Sequence, residues 1–202
     1  MKPLSLEITA FGSFLSTQVL DFSFLQEEGL FAITGPTGSG KTTIFDAITF
    51  ALYGRTSGSN RDASNLRSDF AEGAETCEVT FRFTLRGEIY EIHRVPKQNR
   101  LGRGDKIVGV SASAHLTLPN REVLSGVEPV TRKITELLGL SYTQFCQIVL
   151  LPQGEFNRFL FSKSGEKQQI FSTLFSTDIY KSVEDLLKEK SKQLTGELEH
   201  FR

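Results

Sequence analysis

The 202-residue sequence has no tryptophan and only two cysteines, Cys77 and Cys146, which form no C-x-x-C pair. Their small number and wide separation exclude a disulfide framework and a zinc site built mainly on cysteines, and they favour a reducing compartment. No apolar run approaches the roughly 20 residues that a membrane-spanning helix needs. The N-terminus also lacks the apolar core and the small-residue cleavage site of a secretory signal. We therefore expect a cytoplasmic protein with no membrane partner.

The sequence also lacks an excess of positive or negative charge. Lysine and arginine total 23 against 24 aspartates and glutamates, which gives a formal net charge of −1. Any nucleic-acid surface must therefore be a local patch. Hydrophobic residues make up 39% of the chain and charged residues 23%, as in ordinary folded domains. This length corresponds to one domain or to one large piece of a domain.

Alternating apolar and polar residues predict several strands. The alternation covers residues 4–9 and 19–22, and it returns in residues 79–85 and 89–95, which are separated by a short turn. Residues 107–118 are predicted to be a further extended region. The pair at 79–95 has the spacing of a β-hairpin.

A short continuous apolar run at residues 30–34 ends at Gly35, and a helical pattern follows it. Such a run predicts a strand that is buried on both faces. Helical spacing covers residues 41–53 and about 130–138, each followed by a glycine that stops the helix, and residues 141–151 predict another helix. A chain in which predicted strands and helices alternate indicates an α/β fold.

Polar stretches at residues 55–75 and 96–106 predict surface loops. From residue 167 onward the pattern is helical, and the apolar positions after 179 are partly heptad-like, with a polar lapse at Lys190. One interpretation is an amphipathic helix packed on the domain. The other, which we favour, is the first turns of a coiled coil.

Residues 35–42 match the phosphate-binding pattern G-x-x-x-x-G-K-[ST] without a gap. Chance would produce about one such match per hundred chains of this length. The predicted strand before the motif and the predicted helix after it are the context that the motif requires. The sequence therefore predicts a nucleoside triphosphate site formed by Gly35, Pro36, Thr37, Gly38, Ser39, Gly40, Lys41, Thr42 and Thr43.

Each residue type in this motif has a physical role. The glycines permit backbone angles that point several amide N–H groups into one concavity, and the helix dipole adds positive potential there. Lys41 is expected to reach the β- and γ-phosphates, and the Thr42 hydroxyl to ligate Mg²⁺. The Thr43 hydroxyl is a further candidate for the α-phosphate.

The motif predicts nucleotide binding, but hydrolysis of the nucleotide requires further residues. A P-loop NTPase also needs a second strand that ends in an acidic residue, and no convincing run of this kind follows the motif. The apolar residues 147–151 end in Pro152 and Gln153 instead, and no N-K-x-D motif for reading guanine occurs. The chain thus carries half of a catalytic site.

Taken together, these residues closely resemble the N-terminal ATPase lobe of the SbcC family, the SMC-like ATPase subunits of bacterial DNA exonuclease complexes. The resemblance covers essentially the whole chain. It rests on GLFAITGPTGSGKTT at 29–43, DAI at 46–48, ALYG at 51–54, AFGSF at 10–14, LLPQGEF at 150–156 and the pair Ile179 and Tyr180.

The resemblance implies the N-terminal lobe of an ABC-type, SMC-like head with a mixed β-sheet at residues 1–175, and the start of a coiled coil at 176–202. It implies that a C-terminal lobe carries the Walker B acid and the signature motif, and that Gln153 is the Q-loop glutamine, reaching Mg²⁺ and the attacking water. Lys41 and Gln153 would then be the catalytic residues. The implied partners are that lobe, a second head joined through ATP, an SbcD-like nuclease and double-stranded DNA ends, in a nucleoid-associated complex. Some relatives place a basic residue early in the loop that Phe11, Gly12 and Ser13 occupy here, and Gly12 has no side chain that could contact a nucleotide.

Four cations near the predicted loop at 96–106 form a candidate DNA contact, although an ordinary solvated loop explains them as well. They are Lys97, Arg100, Arg103 and Lys106. Two other functions also remain open. One is a self-contained P-loop kinase or NTPase, and the other is an interaction module that binds ATP as a structural clamp without hydrolysing it.

Overall fold

A computed structural model describes residues 1–25, 30–57, 66–69, 71, 75–102, 106–150 and 178–200. The chain divides into two compact units, Met1–Phe145 and Cys146–Arg202. In the ranges given above, no helix is both long enough and apolar enough to cross a membrane.

The first unit is built on a six-stranded antiparallel sheet with the order β2-β1-β3-β4-β7-β8. A separate two-stranded sheet pairs β5 with β6. The strands are β1 (Lys2–Thr9), β2 (Gln18–Asp21), β3 (Glu78–Leu85), β4 (Glu88–Val95), β5 (Gln98–Leu101), β6 (Ile107–Val110), β7 (Ser113–Thr117) and β8 (Val123–Ser125).

Helices α1 (Lys41–Tyr53) and α2 (Val127–Leu138) pack on one face of the six-stranded sheet and against each other. Alternate residues of the central strands point to that face and are buried, because strand side chains alternate between the two faces of a sheet. The opposite face is polar, and there Arg82 of β3 pairs with Glu91 of β4 at 3.3 Å. The fully buried apolar residues of the central strands are Leu6, Ile8, Val79, Phe81, Phe83, Ile92, Ala114 and Leu116.

The predicted hairpin at residues 79–95 is confirmed. A two-residue turn at Arg86 and Gly87, with φ values of 55° and 86°, joins β3 to β4. Positive φ at both central positions is the mark of the type I′ turn, whose twist matches that of the flanking strands.

The helix prediction for residues 41–53 is confirmed at both ends, and Gly54 follows α1 in the left-handed conformation. Helix α2 begins a few residues earlier than predicted. The predicted helix at 141–151 is a short helix α3 (Tyr142–Phe145) followed by a π-helical turn, Cys146–Leu150. In the second unit, helix α4 (Asp178–His200) confirms the helical pattern over that range.

The prediction of a doubly buried strand at residues 30–34 is wrong. These residues form no strand, and Leu30 is 90% exposed. A strand buried on both faces needs neighbours that accept its hydrogen bonds and cover its side chains. In the described parts of the chain only one ring contact is made here, between Phe31 and Phe22 with centroids 6.4 Å apart.

The predicted loop at residues 96–106 is also wrong in part, because residues 98–101 form strand β5, which makes a hairpin with β6 in the region predicted to be extended. The side chain of Gln98 fixes where this hairpin leaves the main sheet. Its amide accepts a hydrogen bond from the Cys77 N–H at 2.8 Å and donates one to the Cys77 carbonyl at 2.9 Å.

Burial raises the pKa of the Cys77 thiol to about 12, so this thiol stays protonated and unreactive.

The core beneath the sheet can be tested at Phe81, which is fully buried and stacked on Phe83 with centroids 5.3 Å apart. Phe81→Ala is expected to lower the free energy of unfolding by about 3–5 kcal/mol, because it leaves a cavity. Arg82→Ala, one residue along and half-exposed, should change it by less than about 1 kcal/mol. Urea unfolding of both variants checks the result, and equal losses would contradict this packing.

Candidate nucleotide-binding site

Helix α1 begins without a side-chain cap. Its N-cap residue is Gly40, at φ 87°, and the first turn contains no acidic residue. The first backbone bond across the cap runs from the Ile44 N–H to the Gly40 carbonyl at 3.2 Å. Helix geometry leaves the N–H groups before it without intrahelical acceptors, and the helix dipole places positive potential at the same end. This arrangement is suited to binding an anion.

The loop before α1 folds around the ammonium group of Lys41. Nζ donates to the carbonyl of Gly35 at 2.8 Å and to the carbonyl of Pro36 at 2.7 Å. The N–H of Ser39 closes the loop on the Pro36 carbonyl at 3.3 Å. Lys41 is therefore held at the mouth of the loop by acceptors that phosphate oxygens can replace. Thr42, the next residue of the motif, is exposed.

The loop after β1 packs directly on the start of α1. The hydroxyl groups of Ser13 and Thr43 are hydrogen bonded at 3.0 Å. A Cβ on Gly40 would lie 2.7 Å from Ser13 Oγ and 2.8 Å from the ring of Phe14. A Cβ on Gly12 would lie 2.7 Å from Thr43 Cγ2. Both glycines are thus needed for close approach, and the Thr43 hydroxyl proposed for the α-phosphate is already bonded to Ser13.

A third segment fixes this loop from the other side. The Gly12 N–H donates to the carbonyl of Leu66 at 2.9 Å, and the Ser68 N–H donates to the carbonyl of Ala10 at 2.8 Å. These bonds make a short antiparallel bridge between the two segments, and the Leu66 side chain is buried. The loop that packs on the phosphate site is consequently held by two backbone bonds on this side and by the Ser13–Thr43 side-chain bond on the other.

Arg94 of β4 caps the C-terminal end of α1. Its Nε donates to the carbonyl of Ala51 at 3.0 Å, and one terminal nitrogen, Nη2, donates to the carbonyl of Leu52 at 3.3 Å and to Thr131 Oγ1 at 3.2 Å. Burial lowers the pKa of Arg94 to about 10, so the guanidinium still carries its charge at neutral pH. The role of Arg94 cannot be recognised from the sequence, because a lone arginine in a strand pattern does not reveal its contacts.

The chain that follows α1 is held back against the helix. Asp46, buried on α1, accepts hydrogen bonds from both the N–H and the hydroxyl of Ser57. Tyr142 donates to the carbonyl of Thr56 at 2.7 Å, and Tyr53 donates to a carbonyl just before α3 at 2.9 Å. Asp46 belongs to the sequence pattern quoted above, and the structure gives this carboxylate a local role in fixing the segment after α1.

The other predicted site residues lie apart from this site or outside the described residues. Lys97, Arg100 and Lys106 are exposed on or beside the hairpin of β5 and β6. Arg103 and Gln153 lie outside the described residues, so their predicted roles stay predictions.

A glycine-bounded loop around a lysine, followed by an uncapped helix, defines a P-loop nucleotide-binding protein with an α/β fold. Residues 5–200 match the AAA domain family, and the chain belongs to that family. It is 42% identical over 205 residues to proteins named as the SbcC component of the nuclease SbcCD, from Staphylococcus aureus strains MRSA252 and JH9. These relatives confirm the resemblance drawn from the sequence.

The chain spans only part of these relatives. The matched region is 99% of this chain and 20% of each relative. Among solved structures, the SMC head domain from Thermotoga maritima is similar at 22% identity over 66% of this chain and 42% of that chain, with a TM-score of 0.37.

The close contact at Gly40 gives a matched test of the site. Gly40 and Gly87 have nearly the same φ, 87° and 86°, but a Cβ on Gly87 would meet nothing within 4 Å. Alanine at either position costs about 1 kcal/mol in backbone strain. Only Gly40→Ala should also displace Ser13 and Phe14 and weaken binding of a fluorescent ATP analogue, by about tenfold or more.

Fluorescence titration of the two variants checks this expectation, with urea midpoints measured in parallel. Equal affinities for the analogue in Gly40→Ala and Gly87→Ala would contradict the packing at the start of α1.

Proposed function

We propose that this chain is the ATP-binding half of an SMC-like ATPase head, which pairs with a second head on ATP and controls an associated nuclease acting on DNA ends and hairpins. The observation that carries the proposal is the uncapped start of α1 beside the loop that surrounds Lys41. The names of the relatives support the assignment to a nuclease complex.

The residues of the site suit Mg²⁺ and ATP. Thr42 presents a hydroxyl beside the phosphate loop, and hydroxyl and amide oxygens are ligands that Mg²⁺ accepts together with phosphate oxygens. Thr42 and Gln153 would hold the ion, which would neutralise charge on the phosphates. Lys41 would leave the carbonyls of Gly35 and Pro36 to reach the β- and γ-phosphates. The amides of the first turn of α1 would complete the cradle.

The rest of the catalytic site belongs, in this proposal, to a C-terminal lobe that supplies the acidic strand, and to a second head that supplies the signature motif. The exposed apolar residues 30–34 support this division. Leu30 and Phe31 are residue types that are common in central strands. In the described ranges, however, their backbone pairs with no strand and their side chains are not buried. A partner strand from the C-terminal lobe would satisfy their backbone groups.

Helix α4 is proposed to begin the coiled coil. It is 23 residues long, and its polar surface is interrupted by apolar side chains that are more than half exposed. Exposed apolar residues at roughly heptad spacing are what a partner helix covers in a coiled coil. These residues are Val183, Leu186, Leu187 and Leu194.

The nucleotide assignment is tested by Lys41→Ala, which removes the charge that would contact the phosphates. We expect binding of a fluorescent ATP analogue to weaken by about 10- to 100-fold, because a charge-assisted hydrogen bond is lost. Lys133→Ala, which removes a half-exposed cation that pairs with Glu136 at 3.7 Å on α2, is the control and should bind normally. Equal binding by both variants would overturn the assignment.

The metal assignment has a separate test in Thr42→Val. This variant keeps the shape of the side chain and removes the hydroxyl, so Mg²⁺ should no longer strengthen binding of the ATP analogue. Binding measured in the presence of a chelator should be close to that of the unmodified protein. A normal response to Mg²⁺ in Thr42→Val would show that this hydroxyl is not a ligand.

The proposed DNA contact is tested by the double variant Lys97→Ala with Arg100→Ala. If both cations contact phosphates, the slope of log affinity for duplex DNA against log salt should become shallower by about 2. The control is Arg132→Ala with Lys133→Ala on α2, which makes the same change in net charge. A slope that changes equally in both double variants would mean that only the overall charge matters.

A further inference from the structure

The two ends of helix α1 are held by different parts of the fold. The N-terminal end faces the loop around Lys41, whereas the C-terminal end meets Arg94 of β4. Arg94 is 2% exposed, and one of its terminal nitrogens, Nη1, has no hydrogen-bond partner. In the described part of the chain no carboxylate pairs with it. A buried guanidinium without a counter-charge is unfavourable, since burial removes its hydration.

The contacts of Arg94 are directional and concentrated on the last turn of α1. The Gly54 N–H donates a hydrogen bond to the Phe50 carbonyl at 2.7 Å, and Arg94 donates to the next two carbonyls, those of Ala51 and Leu52. These carbonyls have no partners within the helix, because the helix ends there. The charge of Arg94 also interacts favourably with the negative C-terminal end of the helix dipole. The positive end of the same dipole lies at the phosphate site.

The position of α1 matters for the phosphate site because the helix acts as a rigid rod. Its 13 residues span about 20 Å, so a small rotation at the C-terminal end moves the amides at the other end. Phosphate binding requires those amides to stay within a fraction of an ångström of their places. Arg94 fixes the rod to the sheet, because both of its bonds to the helix come from a side chain that is anchored in β4.

We propose that Arg94 is a positioning residue for the nucleotide site, which holds helix α1 at the end opposite the phosphates. This inference rests on the proposed ATP site. It assigns no contact between Arg94 and the nucleotide, and its effect on binding passes entirely through the helix.

The experiment compares ATP affinity with stability in the full-length gene product. Binding of a fluorescent ATP analogue and the urea midpoint are measured for Arg94→Met and Arg94→Lys. Arg94→Met has a neutral side chain that fills much of the same space, and we expect it to weaken binding by about tenfold. Arg94→Lys keeps the charge but not the fork that spans both carbonyls, so its affinity should lie between those of Arg94→Met and the unmodified protein.

Two controls separate positioning from general stability. Thr131→Val removes the bond to α2 and leaves both bonds to α1, so its affinity should stay within about twofold of normal. Leu116→Ala alters a fully buried residue of β7 and should lower the urea midpoint without a comparable loss of affinity. If Arg94→Met does not fold, Arg94→Gln, which retains one short donor group, takes its place with the same expected loss.

Normal affinity in the neutral variant would overturn the inference, and so would an affinity loss that merely follows the urea midpoint as in Leu116→Ala. Failure of the underlying ATP site has a different signature. In that case the unmodified protein does not bind the analogue, or Lys41→Ala binds it equally well, and both proposals are then wrong.

Discussion

The amide groups at the start of helix α1, which have no acceptor within the helix, are the feature on which the proposed function depends. Gly40 caps the helix with no side-chain acceptor, and the loop that precedes it folds onto the Lys41 ammonium through the carbonyls of Gly35 and Pro36. Unsatisfied amides, the helix dipole and a lysine charge therefore act at one place. Water can satisfy these groups, but a polyphosphate can satisfy all of them at once.

Much of the remaining first unit fixes the position of that helix. The loop after β1 presses on its N-terminal end through Ser13 and Phe14, at a distance that only glycine at position 40 permits. Arg94 bonds its last carbonyls, and Asp46 holds the chain that follows it. The antiparallel sheet thus serves as a rigid platform, and α1 contacts its central strands β3 and β4 as well as helix α2.

The sequence predicted the features that depend on local patterns. The phosphate loop is a contiguous motif, the β3–β4 hairpin has strict alternation with a two-residue turn, and α1 is bounded by two glycines, so each of these could be found without long-range contacts. The cap that Arg94 forms on α1 could not be found from the sequence. It joins residues about 40 positions apart, and their contact depends on how the helix lies on the sheet. Strand β5 was missed because it is short and polar, whereas β6 lies in the region that was predicted to be extended.

The error at residues 30–34 has a different cause. The apolar run correctly indicates a segment that favours burial, but a strand also requires partners for its backbone and cover for its side chains. Leu30 is almost fully exposed because neither is present in the described ranges. A sequence pattern reports what a segment favours, and it cannot say which part of a protein supplies the partner.

The division of the catalytic site between this chain and a separate lobe is tested most directly by steady-state ATP turnover. The 202-residue chain is assayed alone and after mixing with a separately made C-terminal lobe. A divided catalytic site predicts no turnover by the chain alone and turnover in the mixture that Lys41→Ala abolishes. Vigorous turnover by the chain alone would contradict it and would indicate a self-contained P-loop enzyme. ATP binding without turnover in the mixture would contradict it as well, in favour of a module that uses ATP as a structural clamp.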